Sequence, residues 1–346
     1  MNSLSIQENV PLAPLTTLKV GGPARRFVEA ATEQEIVDAI SLAEALDVPV
    51  FILGGGSNIV VSDSGFDGLV SKIAIKGIEF NNVRDGKVRC IAGAGENWDD
   101  LVAECVSRNL AGVECLSGIP GLVGGTPIQN VGAYGQDVSE TIVAVRCFDR
   151  RSGEILTIST EECEFSYRKS RFNSRDIDRF VVLSVEYELT ENGEPKLTYS
   201  DLKEHFGRQI PTLAKVREAV LAIRRSKSMV IDDKDVNSQS AGSFFKNPIL
   251  SKEKFAVLAA SNADIPSFPA GDDSMKVPAA WLIERSGITK GTRLGKAGTS
   301  TNHSLAIVNF GGASANDILT VKDEIQRRVR EKFGIELDPE PIFIGF

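Results

Sequence analysis

Apolar residues at Ile36, Val37, Ile40, Ala43 and Leu46 recur at three- and four-residue intervals, which predicts a helix over residues 33–46 with one inward face. The PVFIL run that follows is continuously apolar and too short for a helix, so it reads as a buried strand. The same succession returns in KVRCIAG (87–93), a strand, and WDDLVAECVSRNL (98–110), a helix. Both strands run straight into glycine-rich turns. Between residues 141 and 189 the signal changes to strands: TIVAVRCFD and EILTIS on either side of an RRSG turn, then RFVVLSVEYEL. A helix over 212–226, with Leu213, Val216, Val220 and Ile223 on one face, joins this half to a second unit. There the pattern predicts helices at 252–261, 278–287 and 315–333 and a strand at 305–310. The final IELDPEPIFIGF reads as a strand broken by two prolines, expected to return to an earlier sheet as an edge.

Composition narrows the class. At 346 residues the chain is long enough for two to three domains, each with its own core. With 25% charged and 42% apolar residues and no long apolar run, membrane insertion is not expected. The first residues lack a basic stretch followed by an apolar one, so a cytoplasmic location is expected. A net charge of −8, with no basic tail, makes nucleic acid an unsuitable partner. The five cysteines contain no C-x-x-C pair, and buried reduced thiols are favoured over metal or disulfide use. Two histidines, His205 and His303, argue against a His-rich metal site, and no metal is expected.

The candidate chemistry sits in the glycine-rich segments. GGGSN (54–58) and GAGENW (93–98) each follow a strand, where missing side chains let backbone N–H groups approach a phosphate. Either loop alone is as well explained as a turn without a ligand. The longer segment SGIPGLVGGTPIQNVGAYG (117–135) is almost uncharged and is expected to be neither helix nor ordinary strand, but a loop wrapped around a large cofactor. Neither glycine turn completes the dinucleotide fingerprint, and GTRLGKAG is one residue short of a P-loop and lacks its Ser/Thr. A Rossmann dehydrogenase and a P-loop NTPase are both unsupported.

Six segments in order, LTTLKVGGPA, GGGSN, GIPGLVGGTPIQNVGAYG, FSYRKSRF, SAGSFFKNP and LDPEPIFIG, resemble the UDP-N-acetylenolpyruvoylglucosamine reductase family over nearly the whole chain. The resemblance implies an α+β FAD-binding fold of the vanillyl-alcohol-oxidase type with a C-terminal α+β substrate-binding domain. The implied division is an FAD-binding subdomain over 1–80, to which 333–346 returns, a second over 81–215, and a substrate domain over 216–332. It further implies FAD as cofactor, NADPH as co-substrate, and reduction of UDP-N-acetylglucosamine enolpyruvate to UDP-N-acetylmuramate for peptidoglycan. Carried over by motif, the FAD contacts are Gly54, Gly55, Gly56, Ser57, Asn58, Ile119, Gly124, Gly125, Thr126, Gln129, Gly132, Ala133 and Tyr134. The substrate contacts are Tyr167, Tyr199, Lys227, Asn247 and His303, and the catalytic positions Arg168, Ser243 and Glu340. Tyr199 in LTYSDL places the chain with the family's longer-loop type. Two departures stand out: 228–239 (SMVIDDKDVNSQ) is longer and more acidic than in the best-known members, and His303 replaces a glutamine of some relatives.

These residue types suit that chemistry. Hydride addition to an enol ether conjugated to a carboxylate builds negative charge on the carboxylate, where Arg168 offers a permanent planar cation. Glu340 beside the same anion helps if protonated or bridged, so an elevated pKa is expected. Ser243 keeps its hydrogen at neutral pH and is suited to deliver the proton that completes the reduction. A serine nucleophile ranks lower, because no G-x-S-x-G elbow is present. An oxidase of the same fold and a non-catalytic sugar-nucleotide sensor are the rival functions.

Overall fold

The computed structural model describes residues 4–346, which form two compact units. The first comprises the residues through Val10, Ala24–Gly55 and Asp67–Arg225; the second comprises Pro11–Pro23, Gly56–Phe66 and Ser226–Phe346. No helix among the described residues is long and apolar enough to cross a membrane.

In the first unit the 33–46 pattern forms the helix Glu33–Ala45, burying Ile36, Ala39, Ile40 and Ala43. Its start is a capping box: Thr32 Oγ1 accepts the Glu35 N–H at 3.1 Å, and the Glu35 carboxylate accepts the Thr32 N–H at 3.1 Å. This helix packs beside a four-stranded sheet ordered Gln7–Pro11, Pro23–Ala30, Phe66–Ile73, Val50–Leu53, the last two parallel. The larger sheet is antiparallel, ordered Glu154–Ser159, Ile142–Asp149, Phe180–Glu191, Lys87–Gly93, Ile78–Asn82, with Leu110–Ala111 also on Phe180–Glu191. Val185, Tyr187 and Leu189 alternate inward along the central strand, and the helix Trp98–Ser107 buries Trp98, Leu101 and Val102 in the same core. All five cysteines are buried free thiols.

The segment 161–179, which carries Arg168, is held to this sheet by ion pairs. Arg171 Nε donates to Asp176 at 2.9 Å, Arg179 Nη1 to Asp176 at 3.2 Å, and Arg179 Nη2 to the buried Asp149 at 2.7 Å. The hydrogen bonds from Arg179 hold the Asp149 carboxyl at about 2, below its ordinary 3.8. A lowered folded-state pKa stabilises the fold fully above the unfolded value and progressively less as pH falls through the folded one. The urea midpoint difference between wild type and Asp149→Asn is therefore expected to shrink as pH falls from about 4 to about 2. A difference that stays constant across this window would remove the ion pair from the account of stability.

The second unit is built around the helix Ala315–Phe333, whose buried stripe is Ala315, Ile318, Val321, Ile325 and Val329. Ser314 caps it, and Asp63 adds acceptors for the Ala315 and Asn316 N–H groups at 2.7 and 3.1 Å. Against it pack the helix Ala279–Arg285 and the antiparallel sheet Arg293–Leu294, Ala297–Thr299, Ile307–Asn309. The C-terminal segment is regular only over Ile342–Ile344, beyond Pro341, where it pairs in parallel with Ile59–Val61. A further small sheet, Ile249–Ser251, Ser274–Lys276, Phe268–Pro269, carries the helix Lys252–Ser261.

Candidate active site

The long glycine-rich segment lies in the first unit, and its course departs from the expected irregular loop. Pro127 at the start of a single turn nucleates the helix Thr126–Gln129, ended by Asn130 in the left-handed conformation (φ 41°). Gly132–Ala133 then pairs with Gln136–Asp137 across Tyr134 and Gly135. Burial opposes the charge of Asp99, yet Arg217 Nη2 at 2.9 Å and the Gly118 N–H at 2.6 Å hold its carboxyl below the ordinary range and tie down the start of the segment. Ile119 packs on the core. The buried Thr126 hydroxyl donates to Val123 O at 2.8 Å and accepts from Tyr187 at 2.7 Å, so it is engaged inside the protein.

Two uses of glycine separate here. A Cβ at Gly55 would lie 2.7 Å from Gly121 Cα, and one at Gly124 would lie 2.8 Å from Ala94 Cβ, so glycine at these positions lets the chain pack closely on its neighbours. A Cβ at Gly54 or Gly125 would meet no atom within 4 Å. At those two positions the main chain itself is the surface, as a diphosphate-bearing cofactor requires. The GGGSN turn passes between units after Gly55. Gly56 (φ 63°) packs on Leu15 of the second unit, and the Ser57 carbonyl accepts from Thr17 Oγ1 at 3.4 Å.

Arg168, also in the first unit, occupies a strained backbone conformation (φ 99°). Its guanidinium donates to the carbonyls of Asn130, at 2.8 Å, and Gly132, and lies 3.7 Å from Asp137 and 5.5 Å from the Tyr167 ring. Asn130 is the hub of this arrangement. Its Nδ2 donates to Ser166 O at 2.8 Å and its Oδ1 accepts the Ser139 N–H. Asn173 Nδ2 holds the Arg168 carbonyl at 3.1 Å, and the Ser170 hydroxyl donates to Ile128 O at 2.8 Å. A side chain at Gly132 would strike Asp137 and come within 2.9 Å of Arg168 Nη1, so glycine there admits the guanidinium. The result is a cation fixed before any ligand arrives.

Tyr199 precedes the helix Ser200–Phe206 and meets Tyr134 edge to face at 5.3 Å. Burial pushes the Tyr134 phenol up to about 12, partly offset by the Arg224 guanidinium that bonds to it, and burial also raises that of Tyr199.

The other expected residues lie in the second unit. SAGSFFKNP is not a strand: Ser240 bridges Val308, the Ser240 hydroxyl accepts the Gly242 N–H at 3.2 Å, and Gly242 (φ 72°) turns the chain. Phe244 and Phe245 drop into the core, which fixes the turn from behind. The Glu340 N–H donates to Phe244 O at 2.9 Å, Phe245 bridges Pro339, and the Lys246 N–H donates to Asp338 O at 2.9 Å. Ser243 and Glu340 are thereby brought onto adjoining segments. Asn58 Nδ2 donates to Glu340 O at 3.2 Å and the Asn58 carbonyl accepts the Ile342 N–H at 3.0 Å, so this residue also fixes Glu340. Asn247 Oδ1 accepts the Ala279 N–H at 2.9 Å. His303 accepts the Leu305 N–H on Nδ1, and burial, with the charges of Lys227 and Lys290 nearby, pushes its imidazole down to about 4. It is therefore neutral at pH 7, with its proton on Nε2.

Asn130, Asp137 and the second role of Asn58 escape sequence reasoning. For Asn130 the one signal is a polar residue inside an otherwise uncharged loop; for Asp137, just beyond that loop, the sequence gives none.

A model described as an FAD binding domain matches residues 24–159, and one described as the UDP-N-acetylenolpyruvoylglucosamine reductase C-terminal domain matches residues 234–344. The UDP-N-acetylenolpyruvoylglucosamine reductase of Thermobifida fusca is 46% identical, across 99% of this chain and 98% of the relative. That of Streptomyces coelicolor is 46% identical across 97% and 90%. The crystal structure of UDP-N-acetylenolpyruvylglucosamine reductase from Thermus caldophilus matches with a TM-score of 0.67 at 27% identity, over 99% of both chains. These similarities define an α+β FAD-dependent oxidoreductase. The likeness extends from one end of the chain to the other. The chain belongs to the UDP-N-acetylenolpyruvoylglucosamine reductase family.

Proposed function

We propose that this chain catalyses NADPH-dependent reduction of UDP-N-acetylglucosamine enolpyruvate to UDP-N-acetylmuramate, with FAD as the resident cofactor, in the cytoplasm. Family membership along the full length is the observation that carries this reading. The bare backbone at Gly54 and Gly125 suits the FAD diphosphate, as do the uncharged turns that flank it. Bound FAD supplies the hydride. Arg168 binds the substrate carboxylate and stabilises the charge that grows there as the double bond is reduced. Its two carbonyl partners hold it in place, so it need not reorganise during the reaction. Glu340 shares that anion, kept in position through its own N–H and carbonyl. The Ser243 hydroxyl delivers its proton to the carbon bearing the ether oxygen and is reprotonated before the next turnover. The open space at Gly242 lets substrate come close to it. Lys227 and Tyr199 hold the diphosphate, with Tyr167, Asn247 and His303 as further substrate contacts.

The test is spectroscopic. Purified protein is expected to be yellow, to bleach with NADPH under argon, and to regain its colour on adding the enolpyruvyl sugar nucleotide. A flavin that only oxygen reoxidises would replace this reading with an oxidase.

A further inference from the structure

The acidic segment after Lys227 is ordered into a polar ring. Val236–Ser238 forms a single 3-10 turn capped by Asp235, whose Oδ1 accepts the Asn237 N–H at 3.0 Å. The buried Ser238 hydroxyl closes the base of the loop, donating to Asp232 O at 2.8 Å and accepting the Asp232 N–H at 3.1 Å. From this base the side chains reach two other places in the same unit. Asn237 Oδ1 accepts three donors from the segment before His303: Ser300 Oγ at 3.2 Å, the Thr301 N–H at 2.9 Å and Thr301 Oγ1 at 3.1 Å. The Ser228 hydroxyl, next to Lys227, donates to the Asp235 carboxylate and accepts from Asn302 Nδ2 at 2.8 Å. The Asn302 N–H donates to Ser300 Oγ at 3.1 Å, and Asn237 Nδ2 donates to Asp235 Oδ1 at 3.2 Å.

The ring closes through two arms: Asn302 donates to Ser228, which donates to Asp235, and Asn302 also donates to Ser300, which donates to Asn237, which donates to Asp235. The circuit holds the buried Ser228 in the left-handed region (φ 55°), a conformation that a serine adopts only where its surroundings impose it. Burial disfavours the Asp235 charge, but the hydrogen bonds from Ser228 and Asn237 keep its carboxyl below the ordinary range, so the ring's acceptor is a carboxylate.

We propose that Asp235 and Asn237 are positioning residues that lock the backbone beside Lys227 to the backbone beside His303, and so set the substrate affinity of both contacts. The inference rests on the reading of Lys227 and His303 as substrate contacts. A long lysine stem misplaced by about 1 Å loses much of its contact with a phosphate, and a fixed backbone origin prevents that.

The experiment measures KM and kcat for the sugar nucleotide, flavin content and thermal midpoint in Asn237→Ala, the milder Asp235→Asn, Lys227→Ala, the Lys227→Ala/Asn237→Ala double variant, and Asp233→Asn. Asp233 is exposed on the same loop outside the ring and serves as the control. Expected is a KM raised about tenfold in both ring variants, with kcat within about twofold and flavin content unchanged. Asp233→Asn is expected to match wild type, and Asn237→Ala to add less than about threefold on top of Lys227→Ala. Wild-type KM in both ring variants, with Lys227→Ala impaired, overturns the clamp alone. Wild-type KM in Lys227→Ala overturns it together with the reading beneath it. Joint losses of kcat, flavin and thermal midpoint in Asp235→Asn overturn it in favour of a purely structural loop.

Discussion

Ser243→Ala is expected to reduce its flavin with NADPH at the wild-type rate while transferring hydride to the sugar nucleotide about 10²–10⁴-fold more slowly, the range for a lost general acid. The asymmetry follows from where the proton goes. Flavin reduction by a nicotinamide requires nothing from this hydroxyl, whereas the substrate carbon needs a proton delivered to one face. The substitution is also structurally mild. The turn is held by Phe244 and Phe245 in the core and by the Ser240 hydroxyl on Gly242, none of which involves the Ser243 side chain. Stopped-flow absorbance under argon, run separately with each ligand, resolves the two half-reactions. Equal slowing in both would mean that Ser243 shapes the pocket and donates no proton.

Arg168→Lys is expected to lower the rate of sugar-nucleotide reduction by about 10²–10³, comparable to the loss of one preorganised donor at a developing anion. Lysine retains the charge, but a single ammonium cannot grip the carbonyls of Asn130 and Gly132 while also presenting a planar fork to a carboxylate. The strained backbone at this residue is unchanged by the swap, since both side chains carry a Cβ, so folding and flavin content are expected to persist. Single-turnover reoxidation by the sugar nucleotide measures the effect. A rate near wild type would show that charge alone suffices and that the anchoring carbonyls serve another purpose.

The helices Glu33–Ala45 and Ala315–Phe333 were legible in the chain because their apolar faces repeat within a few residues, and their caps lie in the same stretch. Strands with clear period or flanking turns, such as Lys87–Gly93 and Phe180–Glu191, were legible for the same reason. Pro23–Ala30 and Phe66–Ile73 carry weak strand signals, since the first begins on proline and the second holds Asp67 and Gly68. At SAGSFF, Phe244 and Phe245 are strand formers, yet the positive φ of Gly242 turns the chain there.

The sequence by itself determined the strongly periodic elements and, through six ordered motifs, the family and the residue types of the candidate site. Only the tertiary structure decided that Pro11–Pro23 and Gly56–Phe66 pack with the C-terminal half, through the pairing of Ile59–Val61 with Ile342–Ile344 and the capping of Ala315 by Asp63. It likewise decided that Arg168 rests on two backbone carbonyls and that the acidic loop closes into a ring. The physical reason is the same in each case. Periodicity and turn chemistry are properties of neighbouring residues, whereas a pairing partner far along the chain, or a carbonyl that any residue type could supply, leaves no mark on the local order of side chains.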